Sequence, residues 1–479
     1  TARVCYIIRS TVKRQICMII EEKKVKLSRF IGNKAFYRKL FAVMLPILIQ
    51  NVITNFVSLL DNVMVGQVGT EPMSGVAIVN QLLFVFNLCI FGGLAGAGIF
   101  TAQFYGKDDH NGVRDTMRAK YYIALGSVVL FLLVFVLFGE NLISAFLHEG
   151  NEGLDLGATL GHAKDYIAVM YFQMLPFAVT QVYSSTLRET GETMLPMKAG
   201  IAAVFVNLVF NYILIFGKFG APEMGVEGAA IATDISQLVS CVLSLRFLIK
   251  STDDCRVIPR EIRLHKKMAA RIIRVGLPTG IQNMVISFSN VLVQASVNSY
   301  GAAAMAGFAA YMKIDGFNIL PVSSISMAAT TFVGQNYGAG RLDRVKRSVW
   351  VTLAIGVIYT LCTGAALLAG QDAILHLFTA DEAVVTYGKL AMRWFCPFYF
   401  LLSILHGLAG AVRGTGASVP PMVVLLVSLC LFRIVWIQWV LPLFSGIEGV
   451  FILYPVSWAL GAGLMILYAW KGKWMEYHA

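Results

Sequence analysis

LPILIQNVITNFVSLL, residues 45–60, returns as LPTGIQNMVISFSNVL at residues 277–292. Leu45, Pro46, Gln50, Asn51, Phe56 and Leu60 find their own residue types at Leu277, Pro278, Gln282, Asn283, Phe288 and Leu292. With no gap, Gly69, Met73, Gly75 and Ala77 then meet Gly301, Met305, Gly307 and Ala309. The run closes with Gln103, Tyr105 and Gly106 against Gln335, Tyr337 and Gly338. Both copies are apolar enough to cross a membrane. Two similar halves facing each other, with a path between them, read first as a secondary transporter.

Composition sets the class independently. The chain has 479 residues, 57% hydrophobic and only 14% charged, whereas a soluble protein carries about 25% charge. Its charges gather in short tracts between apolar runs of roughly 20 residues, the length that spans hydrocarbon as a helix. The 43 glycines fit this setting, because small residues let helices pack closely in lipid. Barrel strands are not indicated, since polar-in, apolar-out alternation is missing. The expected fold is therefore all-α and integral to a membrane. Twelve spans are placed near 40–62, 76–100, 121–139, 165–186, 195–216, 228–249, 272–296, 305–332, 349–369, 388–410, 419–441 and 450–470. The second copy begins after six spans, an even number, which makes the two six-helix repeats parallel. The resulting division is a basic tail or surface helix (1–39), a first bundle (40–249), a linker (250–271), a second bundle (272–470) and a short tail (471–479).

Loop charge predicts the orientation. Lys107, Arg114, Arg118 and Lys120 follow the second span, and Arg341, Arg344, Lys346 and Arg347 follow the eighth. Between Lys250 and Arg274 stand eight Lys or Arg, among them Arg256, Arg260, Arg263, Lys266 and Lys267. The loops at 140–163 and 370–386 lack basic residues and carry Glu140, Glu149, Glu152, Asp155, Asp372, Asp381 and Glu382. The positive-inside bias puts both termini and the central loop in the cytoplasm of an inner or plasma membrane. The same bias accounts for most of the formal charge of +12, so a nucleic-acid partner is not expected. Residues 258–274 suit a short helix on an anionic lipid surface. No phosphate loop, metal-binding helix pair or nucleophile turn is present, and neither enzyme chemistry nor a cofactor is expected. The cysteines show no metal spacing.

The later parts of the halves repeat more faintly. Arg188, Gly191, Pro196 and Met197 match Arg413, Gly416, Pro421 and Met422; Gly225, Glu227 and Gly228 match Gly446, Glu448 and Gly449. The plain interpretation of both motifs is a turn re-entering a helix, with Gly for the backbone and Pro early in the next helix.

LLDNVMVGQVG (59–69), with Asp61, Met64, Val65 and Gly66 after Leu45–Pro46, resembles the first helix of multidrug and toxic compound extrusion (MATE) transporters. FVGQNYGAGRLDR (332–344) is similar to that family's tract after the eighth helix, and FTAQFYGKDD (100–109) is its first-half counterpart. NLVFNYILIFG (207–217) and GVEGAAIATDISQ (225–237) extend the likeness, which covers about residues 40 to 470. The resemblance implies a V-shaped pair of six-helix bundles, alternating access, and export of small organic, often cationic, compounds against entering H⁺ or Na⁺. A functional monomer surrounded by lipid is the expected unit.

Asp61 is the leading coupling residue. A carboxylate inside a span is costly unless it faces protein or water, and such groups commonly serve ions or protons; a structural role at a neighbouring helix is the alternative. The resembling family places an Asp here, whereas the second copy has Val293 at the matching position. Asn207 and Asn211 are four apart on one helical face. Their amides and Thr233 can join Asp61 around Na⁺ or hydrogen-bond a protonated carboxyl; helix–helix hydrogen bonding is the simpler role. The family often has an Asp where Asn211 stands, which leaves H⁺ versus Na⁺ open. Asp234 projects about 100° away from Thr233 and is a second proton carrier or a structural partner.

Lys313 and Asp315 do not face each other across a helix, and Arg433 is a candidate partner for Asp315. His406 is a candidate titrating group or a hydrogen-bonded packing residue. Phe84, Phe86, Phe177, Tyr183, Phe288, Phe308 and Tyr311 are candidates for lining a cation route by cation–π contact, or for ordinary packing. Other functions consistent with the sequence are a flippase for a lipid-linked saccharide or amphiphile, and a non-transporting receptor or scaffold.

Overall fold

The computed structural model describes residues 34–68, 70–147, 156–250, 266–377, 379 and 381–476. The basic tail before residue 34, Glu149, Glu152, Asp155 and the Arg256–Arg263 part of the central loop lie outside the described residues.

The apolar runs become helices because a backbone in hydrocarbon must satisfy its polar groups internally. The first half comprises α1 (Lys34–Gly66), α2 (Thr70–Gly106), α3 (His110–Leu147), α4 (Leu156–Thr190), α5 (Met194–Ile215) and α6 (Gly225–Lys250). The second comprises α7 (Lys266–Asn298), α8 (Ala302–Gly338), α9 (Leu342–Ala369), α10 (Glu382–Gly414), α11 (Val419–Leu443) and α12 (Glu448–Lys471). Ten helices among the described residues are long and apolar enough to cross a membrane. The other two, α4 and α7, are as long but richer in polar residues.

Two expected spans are irregular. In α10 a 3₁₀ turn at Cys396–Phe398 interrupts the α-helix around Pro397, because proline lacks the N–H that the preceding turn needs. In α11, π-helical stretches occupy Val427–Leu431 and Trp436–Val440. The repeated prolines Pro46 and Pro278 sit inside α1 and α7. The faint repeat at Arg188 and Arg413 is a pair of helix ends: Gly191 (φ +93°) follows α4 and Gly416 (φ +95°) follows α10. Both lie in the left-handed region, where glycine costs least.

Each half has its own core. The first packs Val79, Leu83, Phe86, Ile90, Ile167, Met170 and Val182. The second is more aromatic, with Phe308, Tyr311, Phe395, Tyr399, Phe451, Tyr454 and Trp458. The halves meet through α2 against α7 and α8, and α1 against α8.

The α1–α8 and α7–α2 contacts are equivalent under the repeat, but they are filled differently. Val43, Met44 and Ile47 pack on Ile325 and Ala328, and Asn51 Nδ2 donates to Ser324 Oγ at 2.9 Å. Across the equivalent contact, Gly92 and Gly96 of α2 face Gly276 and Gly280 of α7. A Cβ at Gly96 would collide with the Gly276 backbone, and one at Gly92 would lie 2.9 Å from Gly280 Cα. Two small-xxx-small faces thus bring these backbones together, the close approach that dispersion favours in lipid.

Candidate functional site

Four of the five residues expected to handle the coupling ion come together in the first half. Asn211 Nδ2 donates to Asp61 Oδ1 at 2.5 Å and reaches Asn207 Oδ1 at 3.2 Å. Asn207 Nδ2 lies 3.3 Å from Thr233 Oγ1, which itself donates to the Ala229 carbonyl. With the Asn207 amide turned over, its Nδ2 lies 2.9 Å from Asp61 Oδ1 and 3.2 Å from Oδ2. Helix α1 supplies the carboxylate, α5 both amides through its four-residue spacing, and α6 the hydroxyl. Among the described residues the buried Asn211 Oδ1 has no hydrogen-bond partner, an orphan acceptor of the kind that calls for a cation or a water.

Asp234 stands apart from this chain of bonds, against the Gln173 backbone of α4, with a buried Oδ1 lacking a partner. Tyr166, which the sequence reading missed, is buried within electrostatic reach of both Asp61 and Asp234. Its hydroxyl is 3.5 Å from Asn80 Oδ1. A tyrosine at an interior helix position carries no spacing signal that separates it from packing. Among the described residues, no group of three or more His, Cys, Asp or Glu could hold a metal ion. An alkali cation at Asp61 would depend on neutral amide and hydroxyl oxygens.

The Lys313–Asp315–Arg433 network does not form. Asp315 Oδ1 accepts from Tyr399 at 2.6 Å and Tyr311 at 3.1 Å, and the two hydroxyls are 2.6 Å apart. Arg433 is buried elsewhere, donating to Ser457, Ser289 and Asn290 and lying 4.5 Å from the centre of the Tyr454 ring. Lys313 is exposed. Neutral hydroxyls satisfy the carboxylate and neutral oxygens satisfy the guanidinium, so neither needs the other.

A cavity of about 340 Å³ lies between the halves, walled by α2, α4, α7, α8 and α10. Gln181, Ser185, Gln282, Asn283, Ser326 and Thr330 make it polar, while Phe91, Leu94, Ile286 and Met327 add apolar surface. Arg188, Glu189, His406 and Arg413 also line it. Glu189 forms an ion pair with the fully buried Lys120, which also donates to Thr186. His406 thus stands in the cavity wall, and its carbonyl accepts from Ser326.

The aromatics expected to line a cation route lie elsewhere. Phe308 and Tyr311 are in the second core, and Tyr183 is buried against Tyr121. Phe177 packs on Phe86 and Phe91, whereas Phe84 and Phe288 are exposed. None of these seven borders the cavity. The repeated arginines do, and their signal was a charge at equivalent positions in two apolar helices.

Below the cavity the halves are clamped. Gln103 Nε2 donates to the Gly414 carbonyl at 2.9 Å, and Gln335 Nε2 donates to the Glu189 carbonyl at 2.6 Å. Gly106 packs on the Gln335 backbone and Gly338 on that of Gln103, with no room for a Cβ at either.

Two helical repeats with separate cores, a polar cavity between them and a carboxylate–amide cluster inside one define a membrane transporter rather than an enzyme. The MatE family model matches residues 46–213 and 278–438, one segment in each half. The chain belongs to the MatE family, secondary transporters that move small organic substrates across membranes. It is 28% identical over 443 residues to a probable multidrug resistance protein NorM of Thermotoga maritima, covering 91% of this chain and 93% of that one. It is 24% identical over 431 residues to an FAD transporter of Shewanella oneidensis, covering 88% and 91%. A solved multidrug resistance MATE transporter of the MOP superfamily, in an outward-facing conformation, superposes with a TM-score of 0.82 at 18% identity, covering 92% and 96%.

Proposed function

We propose that this chain is an antiporter that exports small organic compounds through the cavity between its halves, driven by H⁺ or Na⁺ entering at Asp61. The observation that carries this function is the Asp61–Asn211–Asn207–Thr233 cluster with its orphan acceptor. Ion binding there changes the charge of the one carboxylate within the cluster. Tyr166 lies within electrostatic reach of both Asp61 and Asp234, and Asp234 would give a proton a second station. The names of the multidrug relatives support export.

All twelve helices span the membrane, as two bundles in a V. Basic tracts at the ends of α2 and α8 place those ends in the cytoplasm by the positive-inside bias. The Gln103 and Gln335 clamp is then a closed cytoplasmic gate, and the chain is outward-facing. The ion's affinity must differ between the two facing states for it to drive them. A monomer suffices, since each chain contains both bundles.

An organic cation, the cargo implied by the family resemblance, would find among the described residues only Glu189 as a carboxylate in this cavity, and Lys120 already holds it. In sealed proteoliposomes, an imposed pH or Na⁺ gradient should accelerate movement of fluorescent organic probes by at least about tenfold over protein-free vesicles. Gradient-independent rates for every probe would remove the antiporter assignment. Strict dependence on a polyprenyl lipid would replace it with the flippase, and complete lack of movement would leave a scaffold.

A further inference from the structure

We propose that the cavity between the halves binds organic anions, with a carboxylate or phosphate held between Arg188 and Arg413. This rests on the exporter assignment above and specifies the charge of its cargo.

The two arginines are repeat equivalents, one at the end of α4 and the other at the end of α10. They therefore approach the cavity from opposite halves, and both line it. Basic residues in a last helical turn often only complement the helix dipole. Arg413 does something else: its guanidinium reaches away from α10 to Gln282 Oε1 on α7 at 3.2 Å and Ser326 Oγ on α8 at 3.3 Å. Both partners are neutral, and these bonds use two of its five N–H donors. Arg188 makes no hydrogen bond among the described residues and is largely shielded from solvent; its electrostatic neighbour is Glu189, whose carboxylate is ion-paired with Lys120.

The charge balance follows from the remaining groups. Among the described residues Glu189 is the only carboxylate in the wall, and Lys120 pairs with it from a fully buried position. Gly98 gives the Glu189 carboxylate its room, since a Cβ there would strike it. Glu189 also lies within electrostatic reach of Arg188, but one carboxylate cannot balance Lys120, Arg188 and Arg413 together, and a positive excess remains in a site flanked by apolar Phe91, Leu94 and Met327. Such charges are expensive in a membrane interior unless paired. A guanidinium fork suits carboxylate and phosphate oxygens bidentately. Phe91, Leu94 and Met327 would take the apolar body of an amphiphilic anion. A delocalised cation meets like charge there.

The test uses the full-length protein and two dyes with the same ring system and opposite charge, fluorescein and a rhodamine ester. Fluorescence anisotropy measures binding in neutral detergent, and sealed vesicles measure gradient-driven transport. Fluorescein should bind in preference to the rhodamine ester. Arg188→Gln and Arg413→Gln should each weaken it about tenfold, the scale of one charged hydrogen bond. Arg→Lys at either position keeps the charge but loses the fork and should weaken binding less than Arg→Gln does, and Arg413→Glu should turn the preference toward the cation. Monodispersity and the melting temperature of each variant separate loss of the site from loss of the fold.

Preference for the rhodamine ester in the wild type, or fluorescein binding unchanged in the folded double Gln variant, overturns the proposal. Arg-dependent fluorescein binding without transport upholds the anion site and removes the exporter assignment. Gradient-driven transport of the rhodamine ester alone does the reverse. Competition by phosphatidylglycerol, where inorganic phosphate fails to compete, identifies a lipid headgroup as the anion; competition by phosphate identifies a soluble one.

Discussion

Gln103 donates a hydrogen bond across the molecule to the carbonyl of Gly414, and its repeat equivalent Gln335 does the same to Glu189. The acceptors are also equivalent, because each directly follows the repeated arginine of its half. Gly106 and Gly338 admit the opposing backbones beside these bonds. One duplicated motif therefore clamps both halves directly beneath the cavity. Interhelical hydrogen bonds in membranes average roughly 0.6 kcal/mol, so two of them and the close packing make a joint that substrate or ion binding can open.

Gly106→Leu and Gly338→Leu should loosen that clamp. A cysteine placed at Thr331 in the cavity wall, in a background without native cysteines, should then react several-fold faster with a thiol reagent applied from the cytoplasmic side. Unchanged labelling in both variants would mean that these glycines do not hold the gate. Crosslinking the cytoplasmic ends of α2 and α8 should stop turnover, and persistence of transport would rule out alternating access through this joint.

Asp61→Asn retains shape and amide hydrogen bonding but removes the titratable charge. Membrane abundance should stay near normal while gradient-driven transport falls at least about tenfold; Asp234→Asn should cost less. Transport by the Asp61→Asn protein at the wild-type rate would exclude this cluster as the coupling site. Driving transport by a Na⁺ gradient and by a pH gradient in separate vesicles identifies the ion. A response to pH without Na⁺ means protonation, and strict Na⁺ dependence means coordination by oxygens of Asp61, Asn207, Asn211 and Thr233.

The α2–α7 contact makes an asymmetric prediction. Gly92→Ala and Gly96→Ala insert a methyl group into the facing backbone and should lower stability by about 1–3 kcal/mol, the usual cost of overpacking. Gly280→Ala places its methyl in open space and should be nearly neutral. Thermal unfolding in detergent measures all three. Equal losses at positions 92 and 280 would contradict the geometry.

Topology can be tested without transport. Reporters fused near Lys107, Arg263 and Arg344 should report from the cytoplasm, and labels near Glu152 and Asp381 should react from outside. External labelling of the central loop would reverse the orientation and end the parallel-repeat assignment.

The sequence by itself determined the duplication, the helical class and the Asp61 cluster. An apolar run of sufficient length becomes a helix in lipid whatever surrounds it, and the four-residue spacing of Asn207 and Asn211 puts both amides on one face. Asp61 drew notice because a carboxylate in an apolar helix needs a partner. Tertiary structure alone decided which partners charged groups take and which face of each helix meets protein. Asp315 found Tyr311 and Tyr399 rather than Arg433, and Phe308 went into a core rather than a cavity wall. Lipid and protein interior are both apolar, so the sequence of a spanning helix shows little contrast between its lipid-facing and protein-facing sides. The cavity's charge was equally hidden. Lys120 lies 69 residues before Glu189 in the chain, and only folding brings its ammonium onto that carboxylate beside the cavity.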